Sequence, residues 1–91
     1  MKPHNPQILC KDGTKLSVQA SEYHYCTPRD NYGPYTEVEM GFPTAAPTGE
    51  LLDLAENPDA PTQTIYPYVP IQLIRDFITE HEGIENGALP H

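Results

Sequence analysis

Eleven prolines are distributed along the whole of this 91-residue chain, and they constrain its fold more than any other feature of the sequence. Proline inside a helix removes a backbone hydrogen bond and clashes with the preceding turn, so this distribution excludes a helical bundle. No apolar run approaches the ~18 residues that a membrane-spanning helix needs. Six tyrosines, two phenylalanines and several aliphatic clusters are enough for the core of one small domain.

The charge balance restricts the class of partner. Asp and Glu total 13 against 5 Lys and Arg, which gives a formal net charge of −8, and no basic residue lies between Arg29 and Arg75. Binding to nucleic acid or to an anionic membrane needs Lys and Arg. The sequence therefore predicts neither of these and favours a partner with a basic surface. The alternative is that the acidity serves only solubility.

The N-terminal part of the chain predicts a β-hairpin. Apolar-containing runs at 7–11 and 14–20 flank an Asp-Gly pair at 12–13, which is typical of a two-residue type I′ turn. Such a turn pairs Cys10 with Lys15 and leaves Cys26 outside the hairpin, so we expect no disulfide within it.

Two further stretches alternate between polar and apolar residues. The second hairpin strand can continue through 21–26, and residues 35–42 predict another strand with Val38, Met40 and Phe42 facing inward. Since no full helical crossover separates these strands, we expect them to be antiparallel.

The C-terminal half predicts a strand followed by a helix. Residues 50–56 suggest a short helical turn, and 62–69 read as a strand in which Pro67 belongs at an edge or a bulge. The spacing of apolar residues predicts a helix over 70–82 that ends near Gly83. Its apolar face comprises Ile71, Ile74, Phe77 and Ile78, with Leu73 alongside.

These elements predict an α+β fold: a small antiparallel sheet of three to four strands, an N-terminal β-hairpin and one C-terminal helix packed on a sheet face. We expect residues 1–6 to form a flexible arm, 7–83 a single domain and 84–91 a frayed tail. Two alternatives stay open: the Pro67 strand lies outside the sheet, or a second copy of the chain completes the apolar face.

The stretch 23–35 is the strongest candidate for a binding site. Tyrosine and arginine dominate the energetics of protein interfaces, and this stretch holds four tyrosines and one arginine. The alternative is that these tyrosines cap a small core; Tyr66 and Tyr68, which share a strand face, are expected to be core or dimer contacts. The predicted partner- or ligand-binding residues are Tyr23, His24, Tyr25, Arg29, Asp30, Asn31, Tyr32, Tyr35, Glu37 and Glu39.

Cysteine and histidine give weaker signals. His24, Cys26 and Cys10, with Glu37 or Glu39, match no tetrahedral zinc spacing. A nucleophilic Cys26 with His24 as its base lacks an identifiable orienting acid and oxyanion hole. We therefore predict no metal, no cofactor and no enzymatic activity. The start of the chain has no signal-peptide pattern, which predicts a cytoplasmic protein with reduced thiols.

Several segments together resemble small accessory proteins encoded by bacteriophages and prophages. The resemblance is carried by Leu16–Ser21, His24–Arg29, Gly33–Glu39, Phe42-Pro43, Pro61–Thr64 and Tyr68–Pro70. It implies a protein made in the cytoplasm of a bacterial host that binds and modulates or inhibits a host protein, including components of antiviral defence. It supplies no activity, cofactor or site residue.

Three functional hypotheses follow. The leading one is a non-enzymatic protein that docks on a host protein with a basic surface, as a monomer or as a homo-oligomer. The second is a homo-oligomer that sequesters a small nucleotide-like ligand between tyrosine faces and Arg29. The third is a structural virion or assembly component.

Overall fold

A computed structural model describes residues 5–91 of the chain. It contains five antiparallel strands and two helices. The elements are β1 (Ile8–Cys10), β2 (Lys15–Gln19), β3 (Glu37–Gly41), α1 (Gly49–Asp53), β4 (Ile65–Pro70), α2 (Ile71–Glu80) and β5 (Ile84–Asn86). The sheet order is β4-β3-β2-β1-β5. The predicted α+β class is confirmed. The sheet has one strand more than expected, and the short helical turn suggested over 50–56 is a second helix, α1. Within residues 5–91, neither helix is long and apolar enough to cross a membrane.

One face of the sheet carries the core. Alternate residues of β2 and β3 face the same side, and the apolar stripe of α2 packs over them against β3 and β4. The buried aliphatic and aromatic residues include Ile8, Leu16, Val18, Ala20, Tyr35, Val38, Met40, Leu51, Tyr66, Val69, Ile74, Phe77 and Ile78. The predicted packing of the C-terminal helix on a sheet face is therefore confirmed.

The N-terminal hairpin exists, but its turn has three residues instead of two. Leu9 pairs with Lys15, and the Cys10 amide donates to the Thr14 carbonyl at 2.8 Å. Gly13 lies in the left-handed region at φ +96, as in a type I turn closed by a bulge glycine. The predicted pairing of Cys10 with Lys15 is therefore wrong by one residue.

The segment 21–26 leaves the sheet instead of continuing β2. The His24 amide donates to the Ser21 carbonyl at 3.1 Å, and the Ser21 hydroxyl accepts from the Tyr23 amide at 3.0 Å. Ser21 thus closes a local turn that competes with strand pairing. The chain returns to the sheet at Thr27, which bridges to β3.

Phe42, predicted to face the core, points outward. It follows the last residue of β3, has φ +50 and is 53% exposed. Its amide donates to the Thr64 carbonyl at 3.1 Å. The left-handed backbone conformation breaks the alternation of the strand and turns the side chain to solvent.

A bulge in β4 accounts for the proline within that strand. Pro67 and Tyr68 lie opposite the single residue Glu39 of β3, and β4 is an edge strand. The predicted edge or bulge position is therefore confirmed, and the strand does join the sheet. The bulge also separates the two tyrosines: Tyr66 is fully buried, whereas Tyr68 has φ +51 and is 42% exposed.

Both ends of the described chain make contacts that the sequence does not predict. α2 ends at Glu80, and Gly83, at φ +87, donates its amide to the Ile78 carbonyl at 2.9 Å. The next residues form β5 against β1, so the predicted frayed tail over 84–91 is wrong for Ile84–Asn86. Of the predicted arm 1–6, residues 1–4 lie outside the described residues. Asn5 and Gln19 exchange two hydrogen bonds of 2.8 and 2.9 Å.

A polar contact joins the hairpin turn to the end of α2. The Asp12 carboxylate lies 2.7 Å from Nδ1 of His81, and its other oxygen accepts from the Thr14 amide at 2.9 Å. The Thr14 amide and then His81 lower the pKa of Asp12. A lowered pKa means that folding favours the ionised carboxylate, so this contact stabilises the fold above the ordinary pKa of 3.8.

We expect the Asp12→Asn variant to have a lower free energy of unfolding than the parent at neutral pH. In acid this difference between the two proteins should disappear. As the pH falls through the lowered pKa, the parent carboxylate becomes protonated and its stabilising contribution disappears. Urea unfolding between about pH 5 and about pH 2 measures this difference. Asp59→Asn is a control for the loss of one exposed carboxylate. A stability difference between parent and Asp12→Asn that stays the same across this pH range would contradict the stabilising role of the Asp12 carboxylate.

Candidate functional site

Two polar residues of the predicted contact set, Asp30 and Asn31, form hydrogen bonds within the loop. One Asp30 carboxylate oxygen accepts from the amides of Tyr32 and Gly33, both at 3.0 Å. The Asn31 side-chain oxygen accepts from the Glu22 amide at 3.1 Å. These bonds stabilise the conformation of the loop backbone. The role of Asp30 and Asn31 as contact residues stays a prediction.

His24 and Cys26 are also engaged within the loop. His24 Nδ1 lies 2.6 Å from the Ser21 hydroxyl, and the Cys26 thiol donates to the carbonyls of Ser21 and Pro28 at 3.2 and 3.4 Å. Burial raises the pKa of Cys26 and keeps it protonated, whereas a nucleophile needs the thiolate. His24 is therefore a structural residue of the turn.

Tyr35 belongs to the core. It is 7% exposed, and its hydroxyl donates to the Asp30 carbonyl at 2.9 Å. The ring is buried because the chain returns towards β3 at this point, whereas the sequence places the whole loop on the surface. The role of Tyr35 as a binding residue stays a prediction.

Three residues form an exposed cluster, called here the tyrosine–arginine cluster: Tyr25, Arg29 and Tyr68. The centroids of the two tyrosine rings are 5.7 Å apart at an interplanar angle of 44°, and Arg29 Cζ lies 5.3 Å from the Tyr25 centroid. The Arg29 Nε donates to the Glu22 carbonyl at 3.2 Å, which fixes the direction of the guanidinium group. The rings and the cation thus form an ordered surface.

The loop that carries Tyr25 and Arg29 is tied to β3 and β4. Tyr25 donates its amide to a Glu39 carboxylate oxygen at 3.0 Å and accepts from the Tyr68 amide at 3.1 Å. The Thr27 hydroxyl donates to Glu37 at 2.6 Å. Glu37 and Glu39 therefore position the loop, and their role as contact residues stays a prediction.

Tyr23 and Tyr32 extend the aromatic surface beyond the cluster. They are 63% and 86% exposed, so both rings are accessible to a partner. The Glu22 carboxylate accepts a hydrogen bond from the Tyr23 hydroxyl and raises the pKa of Tyr23. The role of Tyr23 and Tyr32 in binding a partner stays a prediction.

Tyr68 is the member of the cluster that sequence reasoning missed. Strict alternation puts Tyr68 on the same face as the buried Tyr66. The signal that could have separated them is Pro67, because a bulge at this proline inverts the direction of the next side chain.

The described residues contain no group of three or more His, Cys, Asp or Glu side chains that could hold a metal ion. Cys10 and Cys26 are both buried and both free thiols. The sequence leaves open whether the two cysteines pair; in the structure they form no disulfide. Burial also raises the pKa of Cys10, so both thiols are inert in the folded chain.

We expect neither thiol to react with a disulfide reagent such as DTNB in the native protein, and both to react in denaturant. Reaction requires local or global opening, which slows labelling by on the order of a thousandfold or more. Absorbance at the thiolate product band measures the rate and the number of thiols. Rapid labelling of one native thiol would contradict the burial of Cys10 and Cys26.

Comparisons of the sequence with protein-family models, curated proteins and solved structures find no match. The resemblance to phage-encoded accessory proteins stays a prediction. The site must therefore be interpreted from its own geometry, which consists of exposed aromatic rings, one ordered arginine and surrounding carboxylates.

Proposed function

We propose that this chain is a non-enzymatic binding protein: its acidic surface faces a basic surface of a partner protein, and its tyrosine–arginine cluster supplies the local contacts. The observation that carries the proposal is the ordered contact of Arg29 with Tyr25 and of Tyr25 with Tyr68, all three exposed to solvent. Tyrosine and arginine are the side chains most enriched among residues that dominate protein interfaces.

The cluster is already in a binding-ready conformation. The Tyr25 main chain is hydrogen-bonded on both sides, to Glu39 and to Tyr68, and Arg29 is held by a backbone carbonyl. Ordering a long side chain on binding costs roughly 0.5–1.5 kcal/mol, and a side chain that is already ordered avoids most of that cost. This supports a contact surface rather than a flexible loop.

The overall charge supports the basic character of the partner. With a net charge of −8, the protein repels anions and attracts a basic surface over a distance set by the ionic strength. The same charge disfavours nucleic acid and anionic membranes as direct partners. From the sequence resemblance, we place the partner in a bacterial host cytoplasm and include components of antiviral defence among the candidates.

Capture from a bacterial lysate tests this function. The tagged protein is expressed in a bacterial host, isolated at low salt with everything that it holds, and analysed by native mass spectrometry. We expect a stoichiometric host protein that is lost at high salt. A homo-oligomer that carries a small mass would contradict the proposal and favour the nucleotide-sequestering alternative, which also predicts a ligand-dependent rise in Tm.

A further inference from the structure

A groove between α1 and α2 continues the surface that contains Tyr68. It consists of two adjoining depressions of about 230 and about 330 Å³, and Glu50 and Leu73 border both. Tyr68 and Glu37 border the larger one. The groove is therefore continuous with the tyrosine–arginine cluster.

The rim of this groove carries charge of one sign. Five carboxylate side chains line it: Glu37, Glu50, Asp53, Asp76 and Glu80. No Lys, Arg or His of the described chain lines either depression.

Arg75, the cation of α2, faces away from the groove. Leu73, Asp76, Phe77 and Glu80 line it from α2. At 3.6 residues per turn, these four share one side of the helix, and Arg75 falls on the opposite side. The rim carboxylates thus have no partner charge from α2.

Between these carboxylates the groove is apolar. Leu51 and Phe77 are buried at its base, while Leu54 and Leu73 remain half-exposed. An apolar strip beside carboxylates fits a segment that carries aliphatic side chains on one side and ammonium or guanidinium groups beside them. Phosphate-bearing ligands meet repulsion on every side of this groove.

We propose that this groove receives an amphipathic, lysine- or arginine-bearing segment of the partner protein. The proposal rests on the proposed function and names the chemistry of the partner. The aliphatic side chains of the segment pack on Leu54 and Leu73, and its cations lie against the rim carboxylates. Because Tyr68 borders the groove, one partner can contact both the groove and the tyrosine–arginine cluster.

A second copy of this chain is a poorer occupant. Each copy carries a net charge of −8 and only five Lys and Arg residues, so two copies repel each other. The segment 71–80 of another copy would also bring its own carboxylates, Asp76 and Glu80, to an acidic rim. Charge complementarity therefore selects a cationic segment.

The test uses a synthetic amphipathic peptide of Leu and Lys, and a scrambled peptide of equal composition that cannot form an apolar face. Calorimetric titration compares the parent chain with the double variant Glu50→Gln/Asp53→Asn. The matched control is Asp59→Asn/Glu85→Gln, which removes two exposed carboxylates outside the groove. Both variants change the net charge equally.

We expect the groove variant to bind the amphipathic peptide roughly three- to thirtyfold more weakly, because it loses two partly exposed ion pairs. The control should change binding by less than about twofold. Amide chemical shifts of the parent chain provide a readout that needs no variant, and the largest changes should lie at Glu50, Leu54 and Leu73. Equal weakening by both variants, equal binding of the scrambled peptide, or shifts outside the groove would overturn the proposal.

The two proposals fail in different ways. If a captured host protein loses affinity when Tyr25 or Arg29 is replaced but not when Glu50 and Asp53 are replaced, the proposed function holds and the groove proposal is wrong. If the peptide binds the groove but no host protein depends on the tyrosine–arginine cluster, the groove proposal holds and the proposed function is wrong.

Discussion

Replacing Tyr66 by alanine is expected to lower the free energy of unfolding by about 3–5 kcal/mol, the usual cost of deleting a large buried ring. Tyr66 is among the largest fully buried side chains of the core, and its hydroxyl donates to the Pro61 carbonyl at 2.6 Å. A domain of this size is stable by only about 5–10 kcal/mol, so the variant should be partly unfolded near body temperature. Urea unfolding followed by circular dichroism measures the change.

Two further tyrosine variants make this result interpretable. Tyr66→Phe keeps the ring but leaves the Pro61 carbonyl without its donor, which should cost about 1–3 kcal/mol. Tyr32→Ala removes a ring that is 86% exposed and should change stability by less than about 0.5 kcal/mol. Equal losses for Tyr66→Ala and Tyr32→Ala would contradict the position of Tyr66 in the core.

Replacing Arg29 or Tyr25 by alanine is expected to weaken binding of the captured partner by about thirtyfold or more, which corresponds to about 2 kcal/mol. The two side chains contact each other, so the loss of either one also frees the other. Neither side chain is buried, and the main-chain bonds of Tyr25 remain in the variant. The fold should therefore survive, and surface plasmon resonance measures the affinity.

Phe42→Ala is the matched control for this pair. Phe42 is an exposed aromatic residue, 53% accessible, directly after the end of β3 that is distant from Glu37. Its loss should leave the affinity within about twofold. Similar losses for Phe42→Ala and Tyr25→Ala would mean that general aromatic exposure, and not the tyrosine–arginine cluster, determines binding.

The parts of the fold that follow a regular period could be predicted from the sequence. The alternation of Leu16 and Val18, and of Val38 and Met40, gives two strands that share one buried face. The apolar stripe of α2 needs only helical geometry. The class of fold and the position of its main helix depend on these periods alone.

The parts that depend on contacts distant in sequence could not be predicted. Ile84–Asn86 is too short to show a period, and it becomes a strand only because β1 offers a free edge. The turn after β2 depends on the Ser21 side chain, and burial of Tyr35 depends on where the loop returns to the sheet.

The candidate site shows the same division. Composition alone identifies the tyrosine-rich loop, and the exposure of Tyr23, Tyr25 and Tyr32 agrees with that choice. Which side chains of the loop are exposed and which form hydrogen bonds within it cannot be read from composition. The hydrogen bonds of Asp30 are an example. Tyr68 enters the site only through the bulge that packs it against Tyr25.

The proposed function is that this acidic chain docks on a basic surface of a partner protein. Its most direct test is the dissociation constant of the captured partner as a function of salt concentration, measured for the parent chain and for Arg29→Ala. The proposed function predicts that Kd rises steeply with salt, because a net charge of −8 attracts a basic surface. It also predicts that Arg29→Ala weakens binding at every salt concentration, since its contribution comes from ordered local contacts. A Kd that is independent of salt and unchanged in Arg29→Ala would contradict the proposed function.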